Sequence, residues 1–225
     1  MQYLSLYLRA PMQSWGVAAK FGDRPSLSFP SKSGIIGMLA AAAGVDRTDG
    51  AWLQMANSLS MRCLVFKPGR RLQDYHTVGG GYDAKHSWSR RRMSAKADGG
   101  TPSTVLTTRE YLQDAIFGVV LGSENTAFFG CLVDAIRDPI WGIWLGRKSC
   151  IPTEPIYAGY FETTLAAEAA LQARAMASLS MSEEVPVCKI ITEVPVNEAE
   201  EVWHDLPVNF AKREFAPRAI RQEIP

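Results

Sequence analysis

The side chains best suited to chemistry lie between residues 75 and 96. Tyr75, His76, Tyr82, His86 and Trp88 are interleaved with Lys85, Arg90, Arg91, Arg92 and Lys96. Cations that track a phosphate backbone, alternating with rings that stack on bases, suit single-stranded nucleic acid. RNA is favoured over duplex DNA, because no helix-turn-helix or zinc-finger pattern is present. The alternative is a solvated basic loop. His76 and the Lys85-His86 pair could also act as general acid, base or charge stabiliser in a metal-independent RNA cleavage. Histidines beside RNA often only stack or hydrogen-bond, and the glycines around this pair give it no fixed geometry.

Two further stretches suit phosphate. Pro30-Ser31-Lys32-Ser33-Gly34 precedes a helical run, where backbone N–H groups attract anions and Lys32 adds charge. It is not a Walker A loop, and an N-cap with a solvated Lys explains it equally well. Gly146-Arg147-Lys148-Ser149 follows an apolar run and offers N–H groups beside two cations. Gln13-Ser14-Trp15-Gly16 stands at the end of the first strand. Trp15 there is either core or, with Gln13 and Ser14, the lining of an RNA groove. Acidic residues are scattered singly through the first half, which argues against a two-metal nuclease. No GxSxG and no cofactor motif occurs. Cys63, Cys131, Cys150 and Cys188 form no CxxC pair, so neither a zinc site nor a disulfide framework is expected.

The elements that must position these residues follow from periodicity. Residues 3–9 alternate as a strand, and residues 35–44 form a small-residue helix with Ser31 or Ser33 as N-cap and Gly44 beyond its end. A short helix at 51–59 and a strand at 61–66 come next. Residues 67–109 hold few aliphatic side chains and carry 9 basic against 3 acidic residues; they read as a protruding hairpin or arm. A strand ending near residue 121, a helix at 123–136 capped by Ser123, and a strand at 141–145 complete a βαββαβ order. That order is an α+β, ferredoxin-like fold, the arrangement of the RNA-recognition sheet. The expected division is an RNA-binding domain over 1–150, with the arm as its insertion, and a small C-terminal region over 151–225 packed on it. That region reads as a helix at 162–181 and a strand at 185–194.

The 225 residues carry 24 Lys+Arg against 23 Asp+Glu, and 47% are apolar. The total charge of +1 conceals two halves: residues 1–109 hold 15 basic and 6 acidic side chains, residues 110–225 hold 9 and 17. Such asymmetry fits a polyanion site on one half, or two halves that attract one another in the fold. The N-terminus has no basic n-region followed by an apolar stretch, and no run of 18 apolar residues exists; a cytoplasmic protein without a membrane partner is expected.

Five blocks carry a resemblance: Leu-Arg-Ala-Pro-Met-Gln-Ser-Trp-Gly (8–16), Phe-Pro-Ser-Lys-Ser-Gly-Ile-Ile-Gly-Met-Leu-Ala-Ala-Ala (29–42), Asp-Tyr-His-Thr-Val (74–78), Thr-Arg-Glu-Tyr-Leu-Gln-Asp-Ala (108–115) and Trp-Leu-Gly-Arg-Lys-Ser-Cys-Ile-Pro (144–152). In this order they resemble the CasD family, the handle-binding subunit of the type I-E CRISPR surveillance complex Cascade. The resemblance covers roughly residues 8–160 and is loose beyond. It implies a non-catalytic RAMP-type protein that binds the 5′ handle of the CRISPR RNA and caps the backbone filament. It also implies a thumb over the start of the guide, hence a place near the start of the guide–target DNA pairing, and contacts to the backbone subunit CasC and the large subunit CasA. On this resemblance residues 67–109 are the thumb. Lys32, Arg90, Arg91, Arg92, Arg109, Arg147 and Lys148 would hold phosphates. Trp15, Tyr75 and His76 would orient or stack nucleotides, with Gln13, Ser14, Ser33 and Thr77 beside them. No metal and no cofactor is implied. A sister branch, type I-C, cleaves precursor RNA with a group that includes a Lys-His pair, which keeps His76, Lys85 and His86 as the catalytic alternative.

Overall fold

The computed structural model describes residues 1–17, 22–79, 83, 85–91, 93 and 103–225, with the side chains at 89 and 90 excepted. Arg92, Tyr82, Lys96 and the side chain of Arg90 therefore lie outside the described residues.

Nine longer strands organise the chain: β1 (Gln2–Arg9), β2 (Ser60–Lys67), β3 (Arg70–Val78), β4 (Val105–Gln113), β5 (Ile116–Ser123), β6 (Tyr157–Phe161), β7 (Lys189–Glu193), β8 (Glu201–Asn209) and β9 (Glu214–Glu223). Among the described residues four helices of eight or more residues accompany them: α1 (Lys32–Ala42), α2 (Gly50–Asn57), α3 (Thr126–Arg137) and α4 (Thr164–Leu179). Seven strands form one antiparallel sheet in the order β6-β1-β5-β2-β7-β9-β8. β1 and β5 lie inside it and are buried along most of their length, as expected of strands covered on both faces.

The pleat of β1 shows how the sheet sorts its two faces. Leu4, Leu6 and Leu8 enter a core shared with α1, α2 and α3. Tyr7 enters the opposite core with Phe66, Val120 and the Ala167, Leu171 and Ala175 face of α4. Between them Ser5 donates from Oγ to Ala167 O at 2.9 Å, pinning α4 to the strand. The Ala-rich helices pack close because their side chains are short. No helix among the described residues is long and apolar enough to cross a membrane.

Strands β3 and β4 pair antiparallel over nine residue pairs, from Arg70↔Gln113 to Val78↔Val105. The other edge of β4 takes Met12–Gln13 antiparallel and Asp23–Arg24 parallel. The basic arm is thus rooted beside the end of β1, as a ladder separate from the main sheet.

The helix starts use side-chain caps. Ser31 Oγ accepts from Gly34 N, as expected for α1, and Gly44 follows the helix with φ +66°. The α3 cap is Asn125, whose side chain accepts from Phe128 N; Ser123, the expected cap, instead accepts from Asn125 N. The expected strand at 141–145 does not form. Leu145 N bonds back to Cys150 O, and Trp141 N is taken by Ala41 O at the end of α1, so the segment is a loop closing over the helix. The strand on the other side of β1 from β5 comes later, at β6.

The C-terminal strands are tied to α1 by buried ions. Asp205 of β8 accepts two hydrogen bonds from the Arg218 guanidinium, both 2.7 Å, and one from the backbone N–H of Lys32 at 2.8 Å. Lys32 Nζ reaches both oxygens of Glu193 at 2.8 and 2.9 Å. Asp205, Lys32 and Arg218 are 1%, 2% and 4% exposed. Burial pulls the Lys32 ammonium below its ordinary pKa, while Glu193 pulls the other way. Removing one member of such a group leaves an uncompensated charge, which costs about 3–5 kcal/mol. Asp205→Ala is therefore expected to lower the unfolding free energy by about that amount in a denaturant titration. Lys212→Ala on the exposed turn of the same hairpin is expected to change it by less than about 0.5 kcal/mol.

Candidate nucleic-acid interface

The segment Gln13-Ser14-Trp15 is built into the protein. Gln13 and Trp15 are fully buried. Gln13 Nε2 donates to Leu8 O and Ala115 O, and its Oε1 accepts from Trp15 Nε1. Ser14 Oγ donates to Glu110 O, and Ser14 N donates to Leu145 O. These three side chains hold together the chain end after β1, the β4 strand and the 145–150 loop. This corrects the expectation that Trp15 stacks a nucleotide and that Gln13 lines a groove, since neither has surface to offer. Lys32 is corrected for the same reason. Its ammonium is bound to Glu193, and Asp205 and Ser31 already occupy N–H groups of the first turn of α1. Ser33 is half-buried at the rim, within 3.4 Å of Ser31 Oγ.

The two cations of the 146–149 loop have separate fates. Arg147 donates from Nη1 to Glu110 O and from Nη2 to Arg24 O, each at 2.8 Å, with its guanidinium 4.7 Å from the centre of the Tyr111 ring. It staples three segments. Lys148 is exposed, its Nζ 5.6 Å from the Trp144 ring centre. The loop itself depends on Gly146, which has φ +99°; a Cβ there would stand 1.7 Å from Ser14 O. Only glycine permits that approach.

On the arm, residues facing each other across the ladder share a side. Tyr75, 67% exposed, lies opposite Thr108, and exposed Thr77 opposite exposed Leu106. The other side carries Asp74, His76, Thr107 and Arg109. His76 Nδ1 is 3.7 Å from Asp74, and Arg109 Nε donates to Thr107 Oγ1. Lys85, His86 and Arg91 are exposed, and His86 Nε2 is 3.8 Å from Asp83. Each histidine of the catalytic alternative thus has its own aspartate neighbour, and no contact between them is seen among the described residues. Nor do the described residues hold a group of three or more His, Cys, Asp or Glu that could bind a metal ion.

Other features escaped the sequence reading. A groove of about 580 Å³ runs along α1, walled by Trp52, Trp141, Trp144 and Phe210, with Lys148 and Arg47 at its rim. It adjoins a cleft of about 250 Å³ between Gly34, Gly146, Arg147, Phe210 and Phe215. The signal available was Phe210-Ala-Lys-Arg-Glu-Phe215, two aromatics bracketing two cations. Glu110 is a hub: its carboxylate accepts from Arg71 Nη1 and Ser26 N, its carbonyl from Ser14 and Arg147.

These contacts separate support from surface. Arg147→Ala is expected to lower the melting temperature by several degrees, since it removes two bonds to partly buried carbonyls and the guanidinium's contact with the Tyr111 ring. Gly146→Ala is expected to destabilise at least as much, and Lys148→Ala to leave the thermal transition unchanged. Calorimetric scans of the three variants check this.

Comparison with known proteins agrees with the architecture. A family model described as CRISPR-associated protein (Cas_Cas5) matches residues 3–221. The CRISPR system Cascade subunit CasD of Escherichia coli (strain K12) is 32% identical over 224 residues, 95% of this chain and 94% of the relative. A chain of a solved CRISPR RNA-guided surveillance complex superposes with TM-score 0.77 at 30% identity, over 99% of this chain and 89% of the other. A crystal structure of a Cas protein superposes with TM-score 0.67 at 27% identity, over 99% and 94%. With the family match running through both the buried scaffold and the exposed arm, the chain belongs to the CRISPR-associated Cas5 family.

Proposed function

We propose that this chain is the non-catalytic CRISPR-RNA-binding subunit of a Cascade-type surveillance complex, working in antiviral defence in the cytoplasm. The observation that carries this reading is the similarity to CasD along nearly the full length of both chains. Strands β1, β2, β5 and β6 in the order β6-β1-β5-β2, with α1 and α3 between them, support a ferredoxin-like RNA-binding unit. Its boundary is drawn after Phe161 rather than at residue 150, because β6 pairs with β1. The rest forms the C-terminal region. The β3–β4 ladder is the base of the thumb.

In this reading the 5′ handle of the CRISPR RNA runs past half-buried Ser33 and the exposed side chains Lys148, Tyr75, Thr77 and Arg91, with His76 and Arg109 on the other side of the ladder. Arg90 and Arg92 belong to the same basic run. Gln13, Ser14, Trp15, Lys32 and Arg147 serve by shaping the surface from within. The backbone subunit CasC, the large subunit CasA and target DNA near the start of the guide complete its surroundings.

Phosphate contacts make affinity fall with salt. Fluorescence anisotropy with labelled repeat-derived RNA is expected to show salt-dependent binding. Lys148→Ala is expected to weaken it and to reduce the slope of log K against log salt by about 1. Unchanged affinity and slope would count against Lys148 as a phosphate contact. The same RNA incubated with the protein in EDTA is expected to stay intact; cleavage abolished by His76→Ala with His86→Ala would instead establish the nuclease reading.

A further inference from the structure

The C-terminal hairpin of β8 and β9 turns at residues 210–213 directly above the first turn of α1 and the Gly146 loop. Phe210 lines both the large groove and the adjoining cleft, and Phe215 lines the cleft. Phe210 is half-buried, while Phe215 is 39% exposed. Between them Lys212 and Arg213 are exposed, and Arg147 lies across the cleft. Two aromatic side chains lining an open cleft together with Arg147, with Lys212 and Arg213 on the turn between them, match the stacking-plus-charge arrangement that holds unpaired nucleotides. A polypeptide partner with an apolar anchor would gain little from those cations, whereas a nucleotide uses both features.

The hairpin is held so that its tip cannot drift. Asp205 joins it to the backbone of Lys32 and to Arg218, and Asn57 Nδ2 donates to Pro207 O at 2.6 Å. These ties lie within eight residues of Phe210 along either strand, so they fix where the rings stand. Preorganised rings lose little entropy on binding.

We infer that Phe210 and Phe215 form an aromatic wall of the RNA-binding cleft, stacking on nucleotides that cross the Gly34–Gly146 opening, with Asp205 as the residue that positions them. This rests on the RNA-binding reading above and adds the C-terminal hairpin to the interface.

The test is binding of labelled single-stranded repeat RNA by the full chain at several salt concentrations, with thermal unfolding of every variant. Phe215→Ala, at an exposed ring, is expected to weaken binding at least about fivefold with an unchanged melting temperature and unchanged salt slope. Phe215→Tyr is expected to restore it. Phe210→Ala is expected to weaken binding similarly. Should that variant unfold, photocrosslinking of 4-thiouridine-substituted RNA to wild-type protein, mapped to residues 209–216, gives the same readout. Undiminished binding by Phe215→Ala, or a wild-type crosslink map without residues 209–216, overturns the aromatic wall alone. Wild-type protein that binds no RNA overturns the RNA-binding reading and the wall with it.

Discussion

A single buried carboxylate, Asp205, connects the start of α1 with the C-terminal hairpin. Around it stand Arg218, the backbone N–H of Lys32 and, through the Lys32 ammonium, Glu193. The four side chains sum to zero charge, and each ion has a partner at hydrogen-bond distance. That balance makes their burial tolerable, because an unpaired ion at 1–4% exposure would be strongly unfavourable. Apolar packing alone would allow the hairpin to slide over α1. Paired ions do not, since sliding by even one residue leaves charges unmatched. The groove along α1 and the cleft beside it are both lined by Phe210, at the tip of the hairpin that this contact ties to α1.

The same economy governs the basic residues of the first half. Arg9 pairs with Glu154, Lys32 with Glu193, Arg62 with Glu168 and Arg71 with Glu110, each a cation before residue 110 and an anion at or after it. The charge asymmetry of the sequence is therefore partly internal attraction between the two halves. Other cations face solvent, among them Lys85 and Arg91 on the arm that carries Tyr75, Arg47 at the groove along α1 and, from the second half, Lys148.

Local pattern and short-range caps were readable from the sequence; long-range partners were not. The alternation in β1 and the Ser31 cap and Gly44 exit of α1 follow from neighbours within a few residues, whereas the arm was marked by its composition, few aliphatic and many basic side chains over 67–109. Trp141–Leu145 has strand-like composition, yet its backbone closes onto Cys150 and the end of α1, and nothing nearby in sequence announces that. Lys32 resembles a phosphate cation until Glu193 and Asp205, more than 160 residues away, are brought beside it. Arg147 is similar: its two carbonyl partners come from residues 24 and 110. The family blocks at 8–16, 29–42 and 144–152 mark this shared scaffold as much as any RNA contact. For that reason they identified the family more sharply than the individual binding residues.

We propose that this Cas5-family chain holds a defined RNA as part of an assembly. The most direct measurement is affinity purification of the tagged chain expressed with the neighbouring gene products, followed by sequencing of the RNA that accompanies it. CRISPR-derived RNAs sharing one repeat-derived 5′ end are expected, together with stoichiometric partner subunits. A chain that purifies without RNA, or with RNA of random sequence, would contradict it.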